Sequence, residues 1–293
     1  MQGRKTALTV VWLVLLAAVQ VMAFVLLWHL AVRTEHGQLL DTVALTGNSI
    51  GRDRIDGLVG TVLNAMSVVS LLAATTVIGF IALIRRRILL AIVATLLVAG
   101  ANVTTQVLKY LIHRPDFGVD PERAAAGNSL PSGHTTIAAS VAIALVLVLP
   151  PKVRAWGAMI AVGYTALAGV ATLSAGWHRP SDAIASLLIA GAWAAGAGTL
   201  LVLTQGEQAQ VEREDAHRGT VLLLALVGLG LLGVAAYALR ATDEVLVIPV
   251  DELNRPRLFD AYFGGAVGIA GTASLMMALV LTTVHRVVPR HNG

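Results

Sequence analysis

The chain has 293 residues, of which 56% are hydrophobic and a further 28 residues are glycine. Only 13% are charged, against about 25% in ordinary soluble domains. With a mean hydropathy of +0.77, this balance excludes a water-soluble globule, a disordered chain, a collagen and a coiled coil, and leaves a polytopic membrane protein.

Crossing the hydrocarbon core takes about 20 mostly apolar residues in a helix. In chain order, stretches free of Asp, Glu, Lys and Arg run over Thr6–Val32, Gly57–Ile84, Ile88–Leu108, Gly133–Leu149, Ala155–Trp177, Ala183–Thr204, Gly219–Leu239 and Ala261–Val284. None alternates with period two, so a β-barrel is not indicated. Backbone groups in lipid must then be satisfied within helices. The first run is too long for a signal peptide and lacks a small-residue cleavage site, so it reads as a retained spanning helix. The expected fold is an all-α polytopic membrane protein of about eight helices. A six-helix core over 1–204 is followed by a cytoplasmic connector over 205–219 and a C-terminal two-helix extension over 220–293.

Orientation follows from Lys and Arg near the helix ends. A cytoplasmic N-terminus puts Arg4, Lys5, Arg85, Arg86, Arg87, Lys152, Arg154, Arg213, Arg218, Arg286 and Arg290 inside, eleven of the 21 basic residues. The Arg85-Arg86-Arg87 cluster is the strongest anchor. Both termini are therefore expected in the cytoplasm, with the plasma (inner) membrane as the expected location. The pI of about 9.8 fits membrane anchoring better than nucleic-acid binding, because the basic residues are scattered among helix ends. The absence of cysteine excludes disulfides, thiol catalysis and cysteine metal sites. Gln205–Arg218 reads as a plain connector. Gly264 and Gly268 read as a close-packing pair within the chain.

Polar residues cluster at one end of the third to sixth helices. Lys109 closes the third, and Arg114-Pro115 follows. After the loop Asp116–Leu130, Pro131-Ser132-Gly133-His134 opens the fourth. Pro suits a first helical turn and Ser an N-cap. The free N–H groups of such a turn attract an anion, and Gly133 lets it come close. His134 lies beside that position with a side chain suited to proton transfer near neutral pH. Trp177-His178-Arg179-Pro180-Ser181-Asp182 opens the sixth helix. If this segment is helical throughout, His178 and Asp182 share a face. If helix begins near Pro180, His178 lies just outside it. In both cases a carboxylate on one ring nitrogen fixes the tautomer and leaves the other nitrogen available. Lys109 and Arg114 add positive charge for phosphoryl oxygens. Gln106 and Asn102, on the face of Lys109, suit interhelical hydrogen bonding, and Gln106 is also a candidate to support the site. Asp116, Asp120 and Glu122 read as a solvated loop rather than a metal set.

These motifs resemble the type-2 phosphatidic acid phosphatase superfamily, in its integral membrane branch, whose fold is shared with vanadium haloperoxidases. The family pattern is K-x6-R-P, then P-S-G-H, then S-R-x5-H-x3-D. Pro131, Ser132, Gly133 and His134 match the second motif, and His178 and Asp182 match the end of the third. The chain departs from the pattern twice. Arg114-Pro115 stands two positions early, with Asp116-Phe117 at the expected register, and Ala171-Thr172 stands where Ser-Arg is expected. Arg114 is the first candidate to replace the absent arginine, and Arg179 a weaker one.

The resemblance implies a metal-independent, cofactor-free hydrolase of lipid phosphate monoesters or diphosphates. His178 is the implied nucleophile, forming a phosphohistidine, with Asp182 orienting it and His134 as acid and base. Lys109, Arg114, Ser132 and Gly133 are implied to hold the phosphate. The partners are then a lipid phosphate and the bilayer, and the site faces the extracytoplasmic side. The loop Arg240–Arg257 and the first outer loop, Arg33–Asp56, lie on that side too, the former as a candidate cover for the site. Three other readings stand beside this one. They are a phosphotransferase using the same chemistry, a catalytically silent lipid-binding scaffold, and a transporter. The transporter lacks its usual pointers, charges deep in the helices or matched broken segments. The identity of the lipid and the oligomeric state are left open by the sequence.

Overall fold

The computed structural model describes residues 2–50, 57, 59–61, 63–64, 72, 74–76, 78–80, 87–120, 127–205, 217–244, 246 and 249–287. Most of the second apolar run, Arg85, Arg86, Glu122, the stretch 206–216, Arg213 and Arg290 lie outside the described residues. All regular structure among the described residues is helical. The chain is an all-α membrane protein, with α1 (Gln2–Val32), α2 (Glu35–Thr46), α3 (Ile88–Leu111), α4 (Gly133–Val148), α5 (Pro151–Ser174), α6 (Pro180–Gln205), α7 (Arg218–Asp243) and α8 (Arg255–Val287). Six of these, α1, α3, α5, α6, α7 and α8, are long and apolar enough to cross a membrane, by length and composition. α4 is a shorter apolar helix of 16 residues.

Its neighbours explain why α4 is stable at that length. It packs against α3, α5 and α6 and is mostly apolar, its few buried hydroxyls being hydrogen-bonded, as suits a helix enclosed by others. Ala138, Ala139, Ala144, Val146 and Val148 are fully buried. The outer helices carry the opposite pattern. Leu8, Leu15, Met22 and Leu30 on α1, and Leu222, Leu226 and Leu229 on α7, are exposed, as suits side chains that face lipid.

Small residues set the closest approaches. On α8, Gly264 lies against Ala238 of α7, and Gly271 against the Gly228 carbonyl, so that a Cβ on either would come within about 3 Å of its neighbour. The Gly264/Gly268 pair thus packs α8 on α7 within one chain. Gly100 on α3 admits the indole of Trp193 from α6, whose ring atoms would stand 2.4 Å from an added Cβ. The C-terminal helix also enters the core, with Ile269, Met277 and Leu281 fully buried and neighbours on α2, α5 and α6 as well as α7.

The segment after α1 is more structured than the loop the sequence suggested. Thr34 caps α2, its hydroxyl accepting the Gly37 N–H at 3.0 Å. A short 3-10 turn, Gly47–Ser49, follows. Val43 and Ala44 of α2 pack against Leu253 and Ala261 at the start of α8. At this same end of the bundle α3 finishes, α4 begins, α5 finishes and α6 begins.

Candidate active site

Three helix ends are stapled together by backbone and hydroxyl groups. Ser132 caps α4, its Oγ accepting the Thr135 N–H at 3.3 Å. Its own N–H donates to the Asp182 carbonyl at 3.0 Å. Its carbonyl accepts from the hydroxyls of Ser186 at 2.7 Å and Thr136 at 2.9 Å. The start of α4 is therefore fixed on the start of α6. Thr136 in turn shares a hydrogen bond of 2.9 Å with Thr105 of α3.

His178 lies just before α6, in the turn after α5. Thr172, at the register of the family arginine, is fully buried. Its hydroxyl donates to the Gly169 carbonyl at 2.8 Å, and its own carbonyl accepts the N–H groups of Trp177 at 3.0 Å and His178 at 3.2 Å. This position holds the His178 backbone in place through a carbonyl rather than reaching for a phosphate. Of the two geometries open to the sequence, the structure has the turn followed by a helix.

The side chains converge around Asp182, which is wholly buried. Its Oδ2 receives His178 Nδ1 at 3.2 Å, the Ser129 hydroxyl at 2.7 Å and the Arg179 N–H at 3.0 Å. Its Oδ1 has no hydrogen-bond donor and faces Arg114 at 3.6 Å. With Nδ1 engaged, Nε2 is the ring nitrogen of His178 left for chemistry.

Arg114 is the unusual group. Its side chain is only 7% exposed, yet among the described residues none of its three nitrogens has a hydrogen-bond partner. Burial pushes its pKa below the ordinary arginine range, and the neighbouring charge of Asp182 opposes that shift. A dry guanidinium with unused N–H groups next to a histidine–aspartate pair is a seat for an oxyanion. Arg179 is committed elsewhere, to Asp120 at 2.8 Å and to Ser129 at 3.5 Å. Asp120 thus has a structural use as the partner of Arg179.

His134 sits in the first turn of α4. Its ring lies 5.4 Å from that of Trp177 and within electrostatic reach of both His178 and Lys109. Gln106 is the nearest neighbour to the open side of Gly133, 3.8 Å from where a Cβ would stand. The arrangement thus gathers His134, His178, Asp182, Arg114 and Lys109, with Ser132 and Gly133 at the helix start. Ser129 and Asp41 belong to the same constellation and escaped the motif-based reading. Asp41 of α2 accepts the Ser181 N–H at 3.2 Å and also the Ser181 hydroxyl. A lone Asp among apolar residues, about 140 positions upstream of its partner, carries no local signal of that contact.

Residues 87–205 match the family model described as the PAP2 superfamily. No curated protein and no solved structure matches the chain.

Proposed function

Because residues 87–205 belong to the PAP2 superfamily and the chain has membrane-crossing helices, we propose that this protein hydrolyses a phosphate monoester or diphosphate of a membrane lipid through a phosphohistidine. The observation that carries this reading is the buried Arg114, ion-paired with Asp182 but without a hydrogen bond among the described residues, beside the His178–Asp182 pair.

In the first step His178 Nε2 attacks phosphorus. The bond from phosphorus to the lipid oxygen breaks, its electron pair leaves with that oxygen, and His134 supplies the proton. In the second step His134 takes a proton from water, whose oxygen attacks phosphorus. The P–N bond breaks and its electrons return to Nε2. The net change for a monoester is lipid phosphate plus water to lipid alcohol plus phosphate; for a diphosphate the bond broken runs from the terminal phosphorus to the bridging oxygen, and lipid diphosphate plus water gives lipid phosphate plus phosphate. Asp182 stabilises the charge that the His178 ring gains on phosphorylation. Arg114, Lys109 and the first turn of α4 meet the charge on the phosphoryl oxygens. In this reading a phosphate headgroup reaches the helix ends that carry the site while the tail stays in lipid. The site is assigned to the extracytoplasmic face, with both termini inside.

The test is phosphate release in detergent from a panel of phosphatidate, phosphatidylglycerol phosphate and polyprenyl diphosphate. Wild type is expected to be active on at least one. His178→Ala should abolish release, and His134→Ala should lower it by about 10²–10⁴-fold. Equal rates in all three proteins refute the enzyme. Thr172 in place of the family arginine favours a second reading, a lipid-phosphate-binding scaffold. That reading is supported if wild type binds these lipids and releases no phosphate.

A further inference from the structure

The α2 helix precedes the family-matched segment, yet it delivers a carboxylate into the site. Asp41 is 8% exposed. It receives both the N–H and the hydroxyl of Ser181, the second residue of α6. Pro180 has no N–H, so Ser181 offers the first free donor of that helix, and a carboxylate there also meets the positive end of the helix. One residue later comes Asp182. We infer that Asp41 is a positioning residue of the phosphatase site, fixing the first turn of α6 and aligning Arg114 against Asp182 from outside the family-matched segment. The inference rests on the phosphatase reading above.

The charged groups facing Asp41 are Asp182 and Arg179 at the start of α6 and Arg114 after α3. Among the described residues, α1, α7 and α8 also pack on α2, and Arg33, just after α1, lies over the Trp28 ring. Leu253 comes from the turn before α8, and Ala261 and Tyr262, which shares a hydrogen bond with Ser174, come from α8 itself. From α7 comes Asp243, paired with the exposed His36 at 2.8 Å. The Arg114 guanidinium feels the charges of Asp182, Asp41 and Asp120. Neutralising Asp41 would remove one of these three attractions and shift the balance toward the other two.

Burial, then the charge of Asp182, push Asp41 up to about 6, against the lowering pull of Ser181, Arg114 and Arg179. A raised carboxyl pKa means that the folded protein binds the extra proton more tightly than the unfolded chain does. The associated stability is full below the ordinary value of 3.8 and is lost as pH rises through about 6. Above neutrality Asp41 is ionised at a cost to stability.

Asp41→Asn preserves shape and the bond from the Ser181 N–H, reverses the hydroxyl contact so that the amide donates to Ser181 Oγ, and removes the charge. At pH 7.5 the variant should turn over roughly tenfold to a hundredfold more slowly and melt no lower than wild type. The ratio of wild-type to variant kcat should fall toward one as pH drops through about 6, because protonated Asp41 resembles Asn. Other titrating groups act on both proteins and cancel from that ratio. A ratio of one throughout, a ratio constant with pH, or a variant that melts lower or fails to fold overturns the inference. If wild type itself releases no phosphate, the phosphatase reading fails first. Asp41 is then judged by the rise in melting temperature that inorganic phosphate produces. A smaller rise in Asp41→Asn supports its positioning of Arg114, and an equal rise overturns it.

Discussion

Asp182 and Arg114 face each other across 3.6 Å in a region with little water access, and that burial makes single side chains count. A guanidinium removed from water strengthens whatever anion it meets. In the proposed reaction Arg114 stands in for the arginine that Thr172 replaces, so Arg114→Ala should lower kcat/KM by about 10²–10³-fold, the usual loss for one oxyanion donor. Arg114→Lys should recover little, since a point charge lacks the planar fork. Near-normal turnover by Arg114→Ala, in the phosphate-release assay, would exclude that substitution of roles. The complementary change is also informative. Thr172 is fully buried with its hydroxyl bonded to Gly169, so an arginine has no room there. Thr172→Arg is expected to lower the melting temperature in detergent and not to raise activity, as overpacking and an unpaired buried charge both destabilise. The motif residues were legible in the sequence because their chemistry and spacing are local. That Thr172 acts through its carbonyl was not legible, because a backbone contact leaves no trace in residue type.

At the scale of elements, the site is a junction of helix ends, and its accuracy depends on how closely those helices approach. Gly47 lets the turn after α2 rest on α8, where a Cβ would meet the Leu258 carbonyl at 2.2 Å. That neighbour is backbone and cannot rotate away. Gly47→Ala should therefore destabilise the protein by about 1–3 kcal/mol and slow turnover, since it displaces the helix that carries Asp41. Thermal unfolding and phosphate release, measured on the same sample, check both effects. The long apolar runs announced their helices directly. The α2 helix did not, because Glu35, His36, Gln38 and Asp41 interrupt its apolar residues and its short length gives periodicity little to act on. The start of α6 fell earlier than the apolar run indicated, since Pro180, Ser181 and Asp182 are polar or helix-breaking by type yet suit a first turn.

For the whole molecule, the C-terminal pair of helices packs as part of the bundle. The α8 side chains Ile269, Met277 and Leu281 are fully buried, and Gly265 lies against Pro180, at the foot of the site. A chain ending at Gln205 would expose those contacts to lipid, and Pro180 would lose its support. Such a truncation is expected to melt well below the full chain or to aggregate in detergent. A truncated protein with unchanged stability and lipid selectivity would show the pair to be dispensable. The proposed chemistry draws its positive charge from Arg114 and Lys109, so phosphate release should be insensitive to EDTA. Loss of activity on chelation, restored by a divalent ion, would contradict it. The helical, membrane-crossing character of the chain was legible from composition alone. The route of α8 through the bundle was not, because an apolar helix facing lipid and one facing other helices look alike in sequence.

The uneven treatment of the two Asp182 oxygens has a kinetic consequence. Oδ2 is saturated by three donors, whereas Oδ1 faces Arg114 without a hydrogen bond. The guanidinium thus has two competing clients in the proposed cycle, the carboxylate and the phosphoryl group. Each departure of inorganic phosphate returns Arg114 to Asp182, and that exchange offsets part of the attraction that would otherwise trap the product. Slow product release is a common brake on enzymes that grip anions with buried charge. In the proposed cycle the second carboxylate oxygen would take up the guanidinium as the anion leaves.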